Sequence, residues 1–491
     1  MPDSTLFAHG VASGDPLTDR VMIWTQVGSD DESVPVTWTV ARDPGLLDVV
    51  AWGETTAEAE HDHTVHVDVT GLEPGVTYHY GFSAAGEDSP VARTWTLRSD
   101  PDRLRFATCS CAKHNAGFFN AYARIAERDD LDFLLHLGDY IYEAGNTPAK
   151  GQTPGADIGR DFEPLEECRT LDEYRTRYRQ YHRDPDVQAL HLALPIVPTL
   201  DDHELADGAW AGGSDAHDPN QHGPWDERKA AAFQARWEWL PIRPPDPADP
   251  TRAFREIKLG DLADIFLLDI RSRRDRPALE PEMSNPGRTM MGAEQRDWLM
   301  GALDESTAAW RLVGSPSIMH RTFSDNPSEH LQTAMLKLKL MDEDGEGPDE
   351  DQWDGYPAER DALLAKFETL DDVVVLSADI HVSIACQLSR NGTPAAVEIT
   401  APSLTSQNLD EKLKRDPRDE TIVASEREFT AALDHVEWCE FSGHGYVVCD
   451  VDRDRLRAEW WLVDGVLERL PGESMAAAYE VRRGSPGLSA A

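Results

Sequence analysis

Three apolar segments of this chain are each followed by side chains that could bind metal ions. The residues are Asp139 after 133–137, then Asp201, Asp202, His203 and Glu204 after 195–200, and Asp379 and His381 after 373–376. In open α/β sheets, ligands bind in the crevice beyond the carboxyl ends of the strands. We therefore expect side chains from these three remote segments to meet at one sheet edge.

A centre of two metal ions is the chemistry that such a set favours. A bridging carboxylate with O, N or S donors on each side holds two cations, which stabilise the attacking and leaving oxygens of an in-line phosphoryl displacement. Asp139 is the candidate bridge, and Tyr142 is near enough in sequence for one turn to direct both side chains to one ion. Phenolate and thiolate donors favour a ferric ion, whereas oxygen-rich positions suit Ca²⁺.

The N-terminal segment has the pattern of a different element. Its short runs alternate apolar and polar residues with period two between turns, which is typical of an antiparallel β-sandwich. Residues 71–80 resemble the tyrosine corner of a fibronectin type III domain. The pattern changes at 98–102, a polar joint that contains a proline. We therefore predict a β-sandwich over residues 1–99.

The remainder of the chain alternates strands with helices, which favours α/β layers, and closely spaced strands after residue 395 add antiparallel pairs. Helices are predicted at 116–127, 171–182, 226–240, 293–303 and 358–369. We assign 100–475 to a catalytic domain and 476–491 to a loosely ordered C-terminal tail.

Three stretches lack the pattern of regular structure. They are 145–166, 207–225 and the acidic stretch 341–355. Long loops inside a compact domain are usually functional or disordered. We expect 207–225 to line the mouth of the active site and 341–355 to be a solvated acidic loop.

The charge of the chain excludes one class of function. The sequence has 47 basic and 90 acidic residues, a formal net charge of −43, and only nine of the basic residues are lysines. Such a protein repels polyanions, so nucleic-acid binding through a basic face is excluded. A phosphate-bearing substrate must therefore be held locally, by metal ions. This acid excess, with arginine in place of lysine, is typical of proteins from halophilic organisms.

No segment reaches the length of about 18 apolar residues that a membrane helix needs, and the N-terminus lacks the basic start and apolar core of a signal peptide. Six cysteines are too few and too scattered for a disulfide framework. The oligomeric state and the compartment stay open, since a secreted protein whose leader has been removed and an intracellular protein would give the same sequence.

A series of motifs runs through almost the whole chain. They are Phe7 to Pro16 (FAHGVASGDP), Ser110-Cys111, His136 to Glu143 (HLGDYIYE), Asp201 to Glu204 (DDHE), Leu268 to Ser272 (LDIRS), Trp353 to Arg360 (WDGYPAER) and Asp379 to Ser383 (DIHVS). With these motifs the sequence resembles the PhoD-like alkaline phosphatase and phosphodiesterase family of metallophosphoesterases. The resemblance implies an α/β protein in which an N-terminal fibronectin III-like β-sandwich precedes a two-sheet α/β/β/α metallophosphoesterase domain.

The resemblance also implies a centre of one Fe³⁺ with Ca²⁺. Its cysteine ligand falls on Cys111, its aspartate and tyrosine on Asp139 and Tyr142, and its late Asp-X-His pair on Asp379 and His381. Cys109 and Cys111 face the same side of a strand, so strand alternation does not choose between them. The family spacing favours Cys111, and the other five cysteines are expected to be buried thiols.

The remaining positions depart from the family pattern. Where related phosphoesterases have Gly-Asn-His-Glu, this chain has Asp202 in place of the asparagine, and Asp207 stands where the family tends to have a later asparagine. Aspartate keeps the oxygen donor and adds a negative charge, which favours a hard divalent ion. His203 is the candidate that protonates the leaving alkoxide. Arg271 is the candidate phosphate clamp, although a structural ion pair explains it nearly as well.

The function that follows is hydrolysis of phosphate mono- and diesters at alkaline pH by in-line attack of a metal-held hydroxide. One alternative is a phosphodiesterase specific for phospholipid or nucleotide diesters. The other is a non-catalytic cell-surface binding module. The complete ligand set argues against the latter.

Overall fold

The computed structural model describes residues 5–146, 157–244, 246–323, 327–345 and 347–491. Part of the predicted loop 145–166 lies outside these ranges. The strands are β1 Val11–Gly14, β2 Arg20–Gln26, β3 Ser33–Ala41, β4 Val49–Glu58, β5 Thr64–Thr70, β6 Thr77–Ala84, β7 Glu87–Asp88, β8 Ala92–Trp95, β9 Arg103–Cys109, β10 Phe133–His136, β11 Ile196–Pro198, β12 Arg255–Leu259, β13 Ala263–Leu267, β14 Trp310–Gly314, β15 Val373–Ser377, β16 Ser383–Arg390, β17 Thr393–Thr400, β18 Val436–Glu440, β19 Gly445–Asp452, β20 Arg455–Val463, β21 Glu473–Arg482 and β22 Ser485–Ala490.

The helices are α1 Asn120–Ala126, α2 Leu171–His182, α3 Pro185–Ala193, α4 Pro219–His222, α5 Trp225–Trp239, α6 Gly292–Glu305, α7 Glu329–Leu338, α8 Pro357–Phe367, α9 Leu409–Leu413 and α10 Glu420–Ala432. The predicted helix at 171–182 coincides with α2, which begins at a capping box between Thr170 and Glu173. The other predicted helices correspond to α1, α5, α6 and α8. Helices α3, α4, α7, α9 and α10 were not predicted from the sequence, and α4 lies within the predicted loop 207–225.

The N-terminal segment forms the predicted β-sandwich. Strands β1, β2 and β5 pair antiparallel and pack on the sheet of β3, β4 and β6, with buried Val21, Val36 and Tyr80 between them. The Tyr78 hydroxyl accepts a hydrogen bond from the backbone N–H of Glu73 at 2.9 Å. This contact is the tyrosine corner that the sequence predicted.

One sheet of the sandwich continues into the rest of the protein. Strand β1 pairs in parallel with β11, with Gly14 opposite Ile196, so β1, β2 and β5 form one end of a ten-stranded sheet. The joint predicted at 98–102 falls between β8 and β9. The two parts of the chain are therefore connected by backbone hydrogen bonds as well as by the linker.

Beyond the sandwich, two sheets face each other. The ten-stranded sheet contains parallel strands β9, β10 and β11, and a seven-stranded sheet contains parallel strands β13, β14, β15 and β17. Leu135 and Val197 from the first sheet pack with Leu312 and Leu376 from the second. Leu134 points to the opposite face, toward helices α1, α2, α3 and α5. The layers are the α/β/β/α arrangement that the resemblance implies.

The C-terminal residues are ordered. Strand β21 pairs with β20 and β22 pairs with β21, which extends the ten-stranded sheet to its last strand. Val481 is buried in the core between the two sheets. The expectation of a loosely ordered tail over 476–491 is therefore wrong, because strand pairing with β20 orders a segment whose small residues gave only a weak sequence pattern.

None of the helices in the described ranges combines the length and the apolar character that crossing a bilayer requires. All six cysteines are free and buried. His136, predicted to be a core histidine, is fully buried beside the Tyr122 hydroxyl, 2.7 Å from its Nε2.

Candidate metal centre

The predicted ligands lie in the turns that follow β9, β10, β11 and β15. Four of them have a left-handed backbone: Cys111, Asp139, Asp379 and His381, with φ of 59°, 54°, 73° and 64°. Residues other than glycine rarely adopt positive φ, and such conformations cluster at functional sites, where the surrounding structure holds them. The strained positions therefore mark the same residues as the sequence motifs do.

Asp139 is the residue that these turns share. Among the described residues, four groups of side chains have ligand atoms that all lie within 4.8 Å of one another. One consists of His320, Cys386 and Glu398, and Asp139 belongs to each of the other three. These three groups are Cys111, Asp139 and His381; Asp139, Asp202 and His203; and Asp139, Asp201, Asp202 and Asp379. A carboxylate shared by these three groups is a candidate for the bridging position between two cations.

A buried glutamate fixes two of the turns relative to each other. The carboxylate of Glu204 accepts hydrogen bonds from the backbone N–H groups of Asp139 at 2.9 Å and Asp201 at 2.8 Å. Between them, Gly138 has a φ of 97°, and an added Cβ would stand 2.5 Å from the Cβ of Asp201. The turns after β10 and β11 therefore approach each other as closely as a glycine permits.

Tyr142 lies beside the group of Cys111, Asp139 and His381. Its hydroxyl accepts a hydrogen bond from Ser406 at 2.6 Å and lies 3.5 Å from Nε2 of His381. The backbone carbonyl of Gln407 lies 3.1 Å from Nδ1 of His381, which leaves Nε2 directed to the site. Burial lowers the pKa of His381 well below its usual range, so the ring is neutral, the form that binds metals.

Some oxygens of the buried carboxylates lack hydrogen-bond donors that would stabilise their negative charge. Asp139 Oδ2 and Asp202 Oδ1 are buried and have no hydrogen-bond donor among the residues that the structure describes. Burial, together with the charges of Asp202 and Glu204, raises the pKa of Asp139 well above its usual range, although His203 opposes the shift. Orphaned oxygens beside a neutral imidazole and a thiol are the donor set that a hard and a borderline cation would require.

The rings of His203 and Tyr142 are tilted by 34° with their centres 3.9 Å apart, and Nδ1 of His203 lies 2.7 Å from a carboxylate oxygen of Glu143. Burial lowers the pKa of His203, but the neighbouring carboxylates of Glu143, Asp139 and Asp202 outweigh burial and hold it well above its usual range. The protonated ring lines the pocket over the ligand groups. His203 therefore remains the candidate proton donor.

Arg271 occupies a different position from the one expected. Its side chain is fully buried, and it donates to Asp201, to Asp351 at 2.6 Å and to Asp379 at 3.1 Å. It is also not among the residues that line the pocket. A guanidinium engaged in this way positions the carboxylates, so the geometry favours the structural ion pair over the phosphate clamp.

The later part of the predicted acidic loop, residues 349–355, is not solvated. Asp351 accepts hydrogen bonds from Arg271 and Arg274 at 2.6 Å each, and Gln352 donates to Asp379. Both Asp351 and Gln352 line the pocket. The expectation was wrong because the two buried arginines attract this part of the loop, and charge composition alone does not reveal such partners.

The structure leaves Asp207 at the edge of the site. It lines the pocket, and its backbone N–H donates to Glu143 at 2.7 Å, but it belongs to none of the ligand groups found among the described residues. It is the one residue of the predicted mouth loop 207–225 that lines this pocket. Lys339 and Lys412 also line the pocket, but the sequence analysis did not single them out. Because the chain has only nine lysines, their rarity could have marked them as candidates.

Two facing sheets with a buried set of oxygen, nitrogen and sulfur ligands beyond their strand ends define the metallophosphoesterase class of architecture. The chain belongs to the PhoD-like phosphatase family: the PhoD-like phosphatase domain matches residues 106–460, and its N-terminal domain matches residues 2–98.

Individual relatives agree with this assignment. The chain is similar to alkaline phosphatase D of Bacillus subtilis (strain 168), with 31% identity over 522 residues, 98% of this chain and 82% of that protein. A solved structure of PhoD matches with a TM-score of 0.86 and 30% identity over 99% of this chain and 92% of that one. A purple acid phosphatase from yellow lupin (Lupinus luteus) seeds shares the fold, with a TM-score of 0.54 and 12% identity over 91% and 71% of the two chains.

Proposed function

We propose that this protein is a metal-dependent alkaline phosphatase and phosphodiesterase that hydrolyses phosphate mono- and diesters. The observation that carries the proposal is the buried carboxylate of Asp139, which belongs to three ligand groups at once. The relative from B. subtilis is named for alkaline phosphatase activity, in agreement with this reading. The catalytic domain is 100–475 together with β21 and β22, and 1–99 is the β-sandwich that supports it.

The two sides of Asp139 offer different ligands. Cys111, Tyr142 and His381 would hold a ferric ion, since anionic sulfur and phenolic oxygen suit a strong Lewis acid. Asp202 and Asp379 would hold Ca²⁺ through carboxylate oxygens. Asp207, the further candidate from the sequence, lines the same pocket but belongs to none of the ligand groups found among the described residues, so we do not assign it to either ion.

The residues of the chain would have separate roles in hydrolysis. When bound, the metal ions supply Lewis acidity and lower the pKa of water. His203 carries the proton that the leaving alkoxide needs, and Glu143 orients its ring through Nδ1. Arg271 keeps Asp201 and Asp379 in place and partly compensates their charge, so it acts as a positioning residue.

Removal of the metal ions is expected to abolish hydrolysis. Dialysis against a chelator should reduce the release of p-nitrophenol from p-nitrophenyl phosphate and bis(p-nitrophenyl) phosphate to background, and Fe³⁺ with Ca²⁺ should restore it. The ratio of the two rates measures the preference for mono- or diesters, and activity on the diester alone would favour the specific phosphodiesterase. Full activity in the chelated protein, with metal content verified by elemental analysis, would contradict the proposal.

Iron at Tyr142 and Cys111 is expected to colour the protein. Tyrosinate and thiolate bound to Fe³⁺ absorb visible light by charge transfer, so a concentrated solution should be purple to blue and should bleach on reduction. Tyr142→Phe removes the phenolate and should shift or weaken the band, whereas Tyr140→Phe, a buried neighbour outside the ligand groups, should not. A colourless protein that contains iron would contradict this ligand assignment.

A further inference from the structure

Three of the nine lysines of this chain gather at the candidate metal centre. Lys339 and Lys412 line the pocket together with Asp139. Lys113 lies beside the pocket, with its Nζ 5.4 Å from the ring centre of Tyr142. Arginine supplies 38 of the 47 basic residues of the chain. The presence of three lysines at one site therefore needs a chemical explanation.

The three ammonium groups form no close ion pair in the part of the chain that the structure describes. Within the ranges that the structure describes, none of them forms an ion pair or a side-chain hydrogen bond. The arginines next to the site are fully engaged by carboxylates, as the contacts of Arg271 and Arg274 with Asp351 show. Apart from the His203 ring, the cationic groups that remain available to a ligand at this pocket are therefore the lysines.

The lysines are also close enough for their positive charges to repel one another. Burial and the charges of Lys339 and Lys113 lower the pKa of Lys412 to about 8. The charge of Asp207 raises the pKa of Lys339, which keeps that group charged. Like charges held close together repel one another, and an anion bound between the ammonium groups would relieve this repulsion.

Their position relative to the ligand groups indicates which anion would bind. Asp139 is 1% exposed at the bottom of the pocket, whereas Lys339 is exposed and Lys412 and Lys113 are half-buried. The lysines therefore face the part of a substrate that extends outward from the reacting phosphate. In a protein with a net charge of −43, a local cluster of ammonium groups is also the feature that draws an anionic substrate to the pocket.

We propose that Lys113, Lys339 and Lys412 form an anion subsite that binds a second negatively charged group of the substrate. The proposal rests on the proposed function, and it names the class of substrate. This class consists of phosphate esters whose alcohol part carries a further phosphate or carboxylate. Esters of neutral alcohols leave the three ammonium groups unpaired and bind more weakly.

The test compares two unreactive ligands of the metal-loaded protein by titration calorimetry. 3-Phosphonopropionate carries a phosphonate and a carboxylate, whereas propylphosphonate carries the phosphonate on an uncharged chain. We expect the wild type to bind 3-phosphonopropionate about tenfold more tightly, because charge-assisted hydrogen bonds at a partly solvated site supply a factor of this order. The double variant Lys339→Gln, Lys412→Gln should lower this ratio to about one, and Lys113→Gln should lower it in part.

Matched controls come from the same helices. Lys337→Gln and Lys414→Gln remove lysines near Lys339 and Lys412 that do not line the pocket, and they should leave the ratio unchanged. Equal weakening of both ligands in the double variant would overturn the proposal and place the lysines on the reacting phosphate. Equal binding of both ligands by the wild type would overturn the subsite and leave the proposed function standing, whereas binding of neither would count against the proposed function itself.

Discussion

Asp139→Asn is expected to lower kcat/KM by about a thousandfold or more and to leave the fold intact. An amide has nearly the shape of the carboxylate but lacks the charge with which one side chain bridges two cations, and losses of this size are typical when a central electrostatic element of a site is removed. Asparagine also tolerates the left-handed backbone at this position, where φ is 54°. The measurements are steady-state hydrolysis of p-nitrophenyl esters and metal content by elemental analysis.

The same substitution should stabilise the metal-free protein. In the absence of cations, burial and the charges of Asp202, Glu204 and Asp379 raise the pKa of Asp139, and its Oδ2 has no donor within the described residues. A neutral amide relieves this repulsion, so we expect an increase in the free energy of unfolding of about 1–3 kcal/mol in the presence of a chelator. Chemical denaturation followed by circular dichroism measures the change.

The control for both effects is Asp207→Asn, at a carboxylate that lines the same pocket but belongs to no ligand group found among the described residues. We expect it to retain most of the activity and metal content. More than a tenth of wild-type activity in Asp139→Asn would contradict the bridging role. A loss in Asp207→Asn as large as that in Asp139→Asn would instead return Asp207 to the list of ligands.

The sequence was sufficient to place most of the candidate ligands at one sheet edge, because they lie in turns that follow strands. The apolar runs that become β10 and β15 identify their own carboxyl ends, so Asp139 and Asp379 could be assigned to the sheet edge before the structure was known. Cys111 could not be separated from Cys109 by strand alternation, and the family spacing was needed. The backbone now separates them: Cys109 ends β9, and Cys111 stands in the left-handed turn beyond it.

The contacts that hold the ligands in place could not be predicted, because their partners come from remote parts of the chain. Glu204 was grouped with the candidate ligands, yet its carboxylate binds backbone N–H groups of two turns. Asp351 looked like one acidic residue among many until the fold placed it against Arg271 and Arg274. The sequence gives the number of charged groups, but which of them form ion pairs depends on tertiary contacts.

Arg271→Met should strongly destabilise the metal-free protein. The guanidinium is fully buried and is shared by Asp201, Asp351 and Asp379, so its removal leaves buried carboxylates without a counter-charge. Breaking a buried ion pair by removing one partner costs about 3–5 kcal/mol. We expect a loss of this size in the free energy of unfolding, measured by urea denaturation with a chelator present.

Bound cations should recover part of that loss, since they supply positive charge to the same carboxylates. In the presence of Ca²⁺ we therefore expect the difference between Arg271→Met and the wild type to shrink, and Arg271→Lys to lie between them because it keeps the charge without the planar fork. Arg390→Met, which breaks an exposed pair with Asp361, should leave the free energy of unfolding nearly unchanged under both conditions. A stability of Arg271→Met equal to that of the wild type in the chelator would mean that the carboxylates do not depend on the guanidinium. The positioning role of Arg271 would then be wrong, and a phosphate clamp would again be the better account of this residue.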